Sequence, residues 1–166
     1  MAEFYERALG LIRSDEGRGG GYTVDFVFFT ADPTEHHQFV LVTGRPEGAG
    51  AGLVNQLSFR VESLADVRAT YDRVKAAGVE VQRTVSHGNA WSIYFFDPEG
   101  NRIEVYCRTP WYIPQPHGDP FDFDKMTDAE IRKWTEGICR ADAKFMTRAQ
   151  WMKSQRAKLA GPAFRN

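Results

Sequence analysis

The sequence predicts an α+β fold made of two copies of one unit, followed by an extended arm and two helices. The second copy reads strand, helix, strand, strand, strand; the first reads helix, strand, strand, strand and lacks the leading strand. Three observations predict this. Short runs rich in Phe, Val and Ile punctuate the first 108 residues, broken by Gly and Pro turns and a few helical stretches. Local patterns recur: Phe4-Tyr5-Glu6-Arg7 before Leu9-Gly10-Leu11 matches Thr70-Tyr71-Asp72-Arg73 before Ala77-Gly78-Val79, and Phe28-Phe29 before Asp32-Pro33 matches Phe95-Phe96 before Asp97-Pro98. Beyond Arg108 the composition changes to proline, aromatics and capped helices.

In the first copy, Ala2 to about Ile12 is expected to be helical, with Phe4, Leu9 and Ile12 on one stripe, and Arg18–Gly21 a turn. Tyr22–Thr30 and His37–Thr43 read as strands around an Asp32-Pro33 turn, and Pro46–Gly52 as a linker. In the second copy, Leu53–Glu62 alternates. Leu53, Asn55, Leu57, Phe59 and Val61 share one face; Val54, Gln56, Ser58, Arg60 and Glu62 share the other. Ser63 or Asp66 caps a helix to about Ala77, closed by Gly78, and Val79–Val85 is a strand. The modules thus span about 1–45 and 53–108, forming one domain over 1–108. Residues 109–166 form the arm and helices, packed on that domain or on a partner. Thr127-Asp128-Ala129-Glu130 and Thr147 with Gln150 are capping boxes that open the two helices.

Composition excludes several classes. The net charge is −1 with basic residues dispersed, which gives no footprint for nucleic acid or an anionic membrane. No apolar run approaches the ~20 residues a spanning helix needs, and the charged N-terminus does not read as a signal peptide. A cytoplasmic protein with Cys107 and Cys139 reduced is the expectation.

The chemistry-bearing pattern lies on the last hairpin. A five-residue loop, Asp97–Asn101, pairs Phe96 with Arg102 and therefore Tyr94 with Glu104. Ser92, Tyr94, Phe96, Arg102, Glu104 and Tyr106 then share one face; Trp91, Ile93, Phe95, Ile103, Val105 and Cys107 share the other, which is core. A carboxylate and a phenol projecting together suit proton transfer, although a solvated sheet face carries the same pattern. Gln56, on the polar face of its strand, can come near Glu104. His37, next to His36, opens a strand, and His87 follows one. Imidazoles near one carboxylate make a candidate proton-transfer site, whereas each histidine alone is more simply loop polarity.

Phe4-Tyr5 with Leu9-Gly10-Leu11, Asn55–Val61 and Tyr94–Glu104 together resemble the vicinal-oxygen-chelate superfamily of glyoxalases, bleomycin-resistance proteins and extradiol dioxygenases. His36-His37, His87-Gly88-Asn89 and Thr109–Pro116 resemble the single-domain extradiol dioxygenases of the catechol or 2,3-dihydroxybiphenyl kind. The resemblance implies paired βαβββ modules, a glyoxalase-like fold, curled around Fe(II) or Mn(II) held by two His and one Glu. Glu104 matches the carboxylate ligand. Gln56 stands where the second His ligand is expected, and the first falls on the leading strand that the first module lacks. That strand lies upstream of Met1 or the protein does without it. His37, His87 and Tyr94 match the residues that move protons and bind substrate oxygens.

Three functions follow. The first is ring opening of a small catechol-like aromatic by O₂ on Fe(II) or Mn(II). The second is a metal-free or inactive relative, with no cofactor, that binds an aromatic ligand. The third is a glyoxalase-like lyase or isomerase with Gln56 and Glu104 on Zn or Ni. An open sheet edge beside the missing strand favours a homo-oligomer.

Overall fold

The computed structural model describes residues 2, 6, 11–18, 23–44, 55–96 and 102–160. In the first module Ala2 and Glu6 are helical, and three antiparallel strands follow: β1 (Ile12–Arg18), β2 (Asp25–Thr30) and β3 (Phe39–Val42), in the order β1-β2-β3. The second module is β4 (Leu57–Arg60), α1 (Leu64–Ala76), β5 (Val81–Ser86), β6 (Ala90–Phe96) and β7 (Arg102–Arg108). The arm adds β8 (Trp111–Tyr112) and β9 (Asp119–Pro120). Then come α2 (Asp128–Ala141), β10 (Met146–Thr147) and α3 (Arg148–Leu159). The second sheet has the order β4-β7-β6-β5-β9, and a two-stranded ribbon pairs β8 with β10.

The two modules share a plan. In each, the last three strands form an antiparallel meander, and in the second β4 adds in parallel beside β7. No strand among the described residues occupies the corresponding place beside β3.

Several boundaries differ from expectation. Ile12 belongs to β1, not to a helical stripe, and β1 was not foreseen as a strand. Its sequence is polar, and a bulge between Arg13 and Asp15 breaks the alternation that would mark a strand. Tyr22–Thr30 and His37–Thr43 shorten to Asp25–Thr30 and Phe39–Val42. Of the strand expected over Leu53–Glu62, Leu53 and Val54 lie outside the described residues and the remainder forms a strand at Leu57–Arg60, where Leu57 and Phe59 share a face as alternation requires but stand exposed. The turn at Gly19–Gly21, the linker at Pro46–Gly52, the hairpin tip and the stop at Gly161-Pro162 lie outside the described residues.

The helix caps follow the sequence closely. Ser63, Thr127 and Thr147 each accept from the backbone N–H three residues on, and each closes a reciprocal capping box. The core of the second module lies between α1, α2 and the apolar face of β5–β7. Leu64, Val67, Trp91, Ile93, Cys107 and Ile131 are buried there, each side chain contributing about 1.5–3 kcal/mol by leaving water. The two cysteines are free and buried. With that face closed, the polar face of the same strands is left to form the site.

The arm ties the modules together. Thr109 Oγ1 donates to the Gly88 carbonyl at 2.5 Å, and Gln115 Nε2 donates to the His87 carbonyl at 2.7 Å. The Gln115 backbone N–H then donates to Asp15 of β1 at 2.9 Å. Gly88 has φ +75° and packs directly on Ile113, so the turn admits no side chain. No helix among the described residues is long and apolar enough to cross a membrane.

Candidate functional site

Register assembles the site. Tyr94 pairs with Glu104, Arg83 with Tyr94, and Ser58 with Glu104, so one rung crosses β5, β6, β7 and β4. The neighbouring rung places Ser92 opposite Tyr106 and Tyr106 opposite Arg60. All these side chains stand on the face away from the core.

Glu104 is the centre and only 2% exposed. Oε1 accepts from Ser92 Oγ at 2.8 Å and from the Tyr94 hydroxyl at 2.6 Å. Oε2 accepts from Gln56 Nε2 at 2.8 Å and from Ser58 Oγ at 2.6 Å. A carboxylate has about four lone-pair directions, and here each one meets a donor. Burial alone would raise the Glu104 pKa. The positive charge that His37 and His87 take up in acid, with the Ser58 and Tyr94 hydroxyls, outweighs it and holds the group below its ordinary value. Tyr94 moves the other way: burial, then the Glu104 charge, push its phenol well up, so it stays a donor.

Tyr94 also lies 2.8 Å from His87 Nε2, and His87 Nδ1 lies 2.6 Å from the His117 carbonyl. A carbonyl only accepts, so Nδ1 carries a proton. Burial lowers the His87 pKa, outweighing the pull of Glu104 and of the His117 carbonyl, and leaves Nε2 as a lone pair. The single Tyr94 O–H therefore faces two acceptors, Glu104 and His87, and can turn from one to the other.

These groups line a cavity of about 680 Å³ that also reaches His37. Its size falls within the ~300–1,000 Å³ of small-molecule sites. Phe26 and Phe28 of β2 form an aromatic wall, their rings parallel within 12° at 6.0 Å. His37 packs edge-on against Phe28 at 5.7 Å and stacks on Tyr106 at 6.5 Å. Burial, then His36, push its pKa down to about 4, so it is neutral at pH 7. Arg102 lines the same cavity with its guanidinium 5.7 Å from the Phe96 ring and no carboxylate partner among the described residues. A second cavity of about 630 Å³ adjoins through His37, Val40, Asn55 and Gln56; it carries Glu35, held by Arg60 and Arg108.

All five residues singled out in the sequence, Gln56, Glu104, Tyr94, His87 and His37, line one cavity. Gln56 and Glu104, the expected metal pair, are hydrogen-bonded to each other rather than open to a third atom. Among the described residues no group of three His, Cys, Asp or Glu side chains is arranged to hold an ion. Among the described residues the donor set, one carboxylate and one amide, does not fit the two His and one Glu that the resemblance implied for Fe(II) or Mn(II). Its one carboxylate is saturated, and its amide turns the NH₂ toward that carboxylate. Sequence reasoning missed Asp15, Ser58, Gln115 and His117 as site partners. Ser58 was signalled by its period-two spacing from Gln56; the others come from the bulged strand and the irregular arm.

Residues 1–105 match the Glyoxalase/Bleomycin resistance protein/Dioxygenase superfamily. The chain belongs to this superfamily. Two curated relatives come from Rhodococcus globerulus. Biphenyl-2,3-diol 1,2-dioxygenase 2 is 29% identical over 57% of this chain and 58% of its own length. Biphenyl-2,3-diol 1,2-dioxygenase 3 is 34% identical over 47% of this chain and 43% of its own. The chain thus spans about half the length of the curated relatives it matches. Among solved structures, BphC, a halotolerant catechol dioxygenase, superposes with TM-score 0.54 at 23% identity, over 74% of this chain and 37% of that one. The Mn(II)-bound glyoxalase of Novosphingobium aromaticivorans superposes with TM-score 0.53 at 19% identity, over 90% of this chain and 44% of that one. These superpositions support the glyoxalase-like fold of the described modules.

Proposed function

We propose that this superfamily member binds a small aromatic hydroxyl compound of the catechol type, and does so without a metal. The observation that carries the reading is the closed set of four donors around Glu104. An ion would have to displace at least one of them from a buried carboxylate. The rest of the cavity suits a flat ring with hydroxyl groups. Phe26 and Phe28 offer an apolar face, where aromatic stacking contributes about 0.5–1.5 kcal/mol beyond burial. The neutral imidazole of His37 offers an acceptor for a phenolic O–H. Arg83 and Arg102 offer positive charge to an electron-rich oxygen.

One specific observation favours a second reading, ring opening by O₂ on Fe(II) or Mn(II). The curated relatives are named biphenyl-2,3-diol dioxygenases, and His37, His87 and Tyr94 share the cavity with Glu104. Oxygen uptake separates the two. Protein loaded anaerobically with Fe(II) or Mn(II) is mixed with catechol and with 2,3-dihydroxybiphenyl in an oxygen electrode. The metal-free reading expects no uptake and no yellow product, together with a shift in the ligand's absorbance on binding. Stoichiometric O₂ consumption with a yellow product overturns it in favour of the second reading.

A further inference from the structure

His36 Nδ1 lies 2.9 Å from His37 Nδ1, and His36 Nε2 lies 3.4 Å from Asp15 Oδ2 on β1. The same carboxylate oxygen accepts from the Tyr112 hydroxyl at 2.5 Å and from the Gln115 N–H at 2.9 Å. His36 is 8% exposed; Phe28 tilts against it on one side and Trp151 on another, at 5.2 and 5.9 Å. It touches neither substrate space nor solvent to any extent, and the function proposed above does not use it.

Proton positions in this chain are determined by what each neighbour can do. Asp15 is held below the ordinary carboxylate range: burial would raise it, but hydrogen bonds from His36, Tyr112 and Gln115 outweigh that. An ionised carboxylate only accepts, so the hydrogen between Asp15 and His36 resides on His36 Nε2. Burial keeps His36 neutral, so its Nδ1 is a lone pair. That lone pair accepts, so the hydrogen between the two imidazoles resides on His37 Nδ1. His37 is neutral as well, so its remaining nitrogen, Nε2, carries no hydrogen. No partner among the described residues meets Nε2, and the ring lines both cavities.

We propose that Asp15 and His36 are positioning residues that fix the tautomer of His37, so that it presents an unprotonated Nε2 to the aromatic-ligand cavity. Asp15 lies in the first module and is itself held by Tyr112 and Gln115 of the arm. The arm therefore sets the hydrogen-bond polarity of the cavity from outside it. A ligand hydroxyl meets an acceptor at His37 rather than a second donor. This last consequence rests on the function proposed above; the tautomers do not.

The test is ¹⁵N NMR of histidine-labelled, full-length, ligand-free protein. Long-range couplings should report His36 protonated on Nε2 and His37 protonated on Nδ1. Asp15→Ala removes the acceptor that holds the hydrogen on His36 Nε2. The relay then loses its bias, and the His37 Nε2 signal should move from the pyridine-like range towards the pyrrole-like range. Tyr112→Phe removes one donor to Asp15, keeps the carboxylate, and should leave both tautomers unchanged. Catechol binding should weaken up to about tenfold in Asp15→Ala, the scale of one hydrogen bond, and change little in Tyr112→Phe. His37 protonated on Nε2 in the wild-type protein overturns the relay, even if Asp15→Ala does not fold. An unchanged His37 tautomer in folded Asp15→Ala overturns it too. Correct tautomers in a protein that binds no catechol uphold the relay and overturn the ligand reading instead.

Discussion

Gln56, the residue before β4, donates through Nε2 to Glu104 Oε2 on β7 at 2.8 Å. Ser58, two residues on along the same face, donates to the same oxygen at 2.6 Å. An amide and a hydroxyl thus take both lone-pair directions of the oxygen nearest β4.

Replacing Gln56 by His removes one of those donors and supplies an imidazole lone pair. Gln56→His should bind Mn(II) at least about tenfold more tightly than the wild-type chain in calorimetric titration, imidazole being a better ligand than a neutral amide. Stoichiometric Mn(II) binding by the wild-type protein would contradict the saturation of Glu104.

Tyr94→Phe leaves Glu104 Oε1 with Ser92 alone and His87 Nε2 with no proton to accept. Loss of a buried, charge-assisted hydrogen bond should cost about 1.5–3 kcal/mol in denaturant unfolding. A change within about 0.5 kcal/mol, the range of ordinary surface substitutions, would mean that the phenol does not support the carboxylate.

Asp15 gives the fold an acid-sensitive tie. Its carboxyl is lowered in the folded state, so it binds protons less readily there than in the unfolded chain. Its stabilisation is complete above the unfolded value, near 3.8, and is lost as pH falls through the folded value. Asp15→Asn should therefore flatten the fall in stability below about pH 4 in thermal melts. Parallel wild-type and variant curves through that range would contradict the assignment.

Gly88→Ala places a methyl 2.5 Å from Ile113 Cγ1 at a residue with φ +75°. Left-handed backbone and overpacking together should cost about 2–4 kcal/mol, and should loosen the arm from the His87 turn. Calorimetric unfolding measures the cost. An unchanged melting temperature would mean that the arm does not lean on this turn.

The hairpin was legible because two simple rules act on it. A loop of fixed length sets the register, and period two then sends Tyr94 and Glu104 to one face and Ile93 and Val105 to the other. The capping boxes at Thr127 and Thr147 were legible because they are local hydrogen bonds written in four residues. β1 was not. Its run, Ile12-Arg13-Ser14-Asp15-Glu16-Gly17-Arg18, has no apolar alternation, and the bulge at Ser14 shifts the phase midway. Asp15 was therefore invisible as a partner of His36, 21 residues on, and of Tyr112, 97 residues on. The direction of the Gln56 amide was equally hidden, since spacing places a side chain on a face but does not choose which end of an amide meets a carboxylate. That direction separates a metal ligand from a hydrogen-bond donor.

Calorimetric titration of chelator-treated protein with 2,3-dihydroxybiphenyl, repeated anaerobically after adding Fe(II), tests the closed carboxylate most directly. One-site binding with a dissociation constant unchanged within about twofold by the ion is the expected result, since ligands that need no metal gain nothing from it. Binding that appears only after Fe(II) is added would mean that Glu104 gives up its four donors to an ion, and that the cavity is a metal site after all.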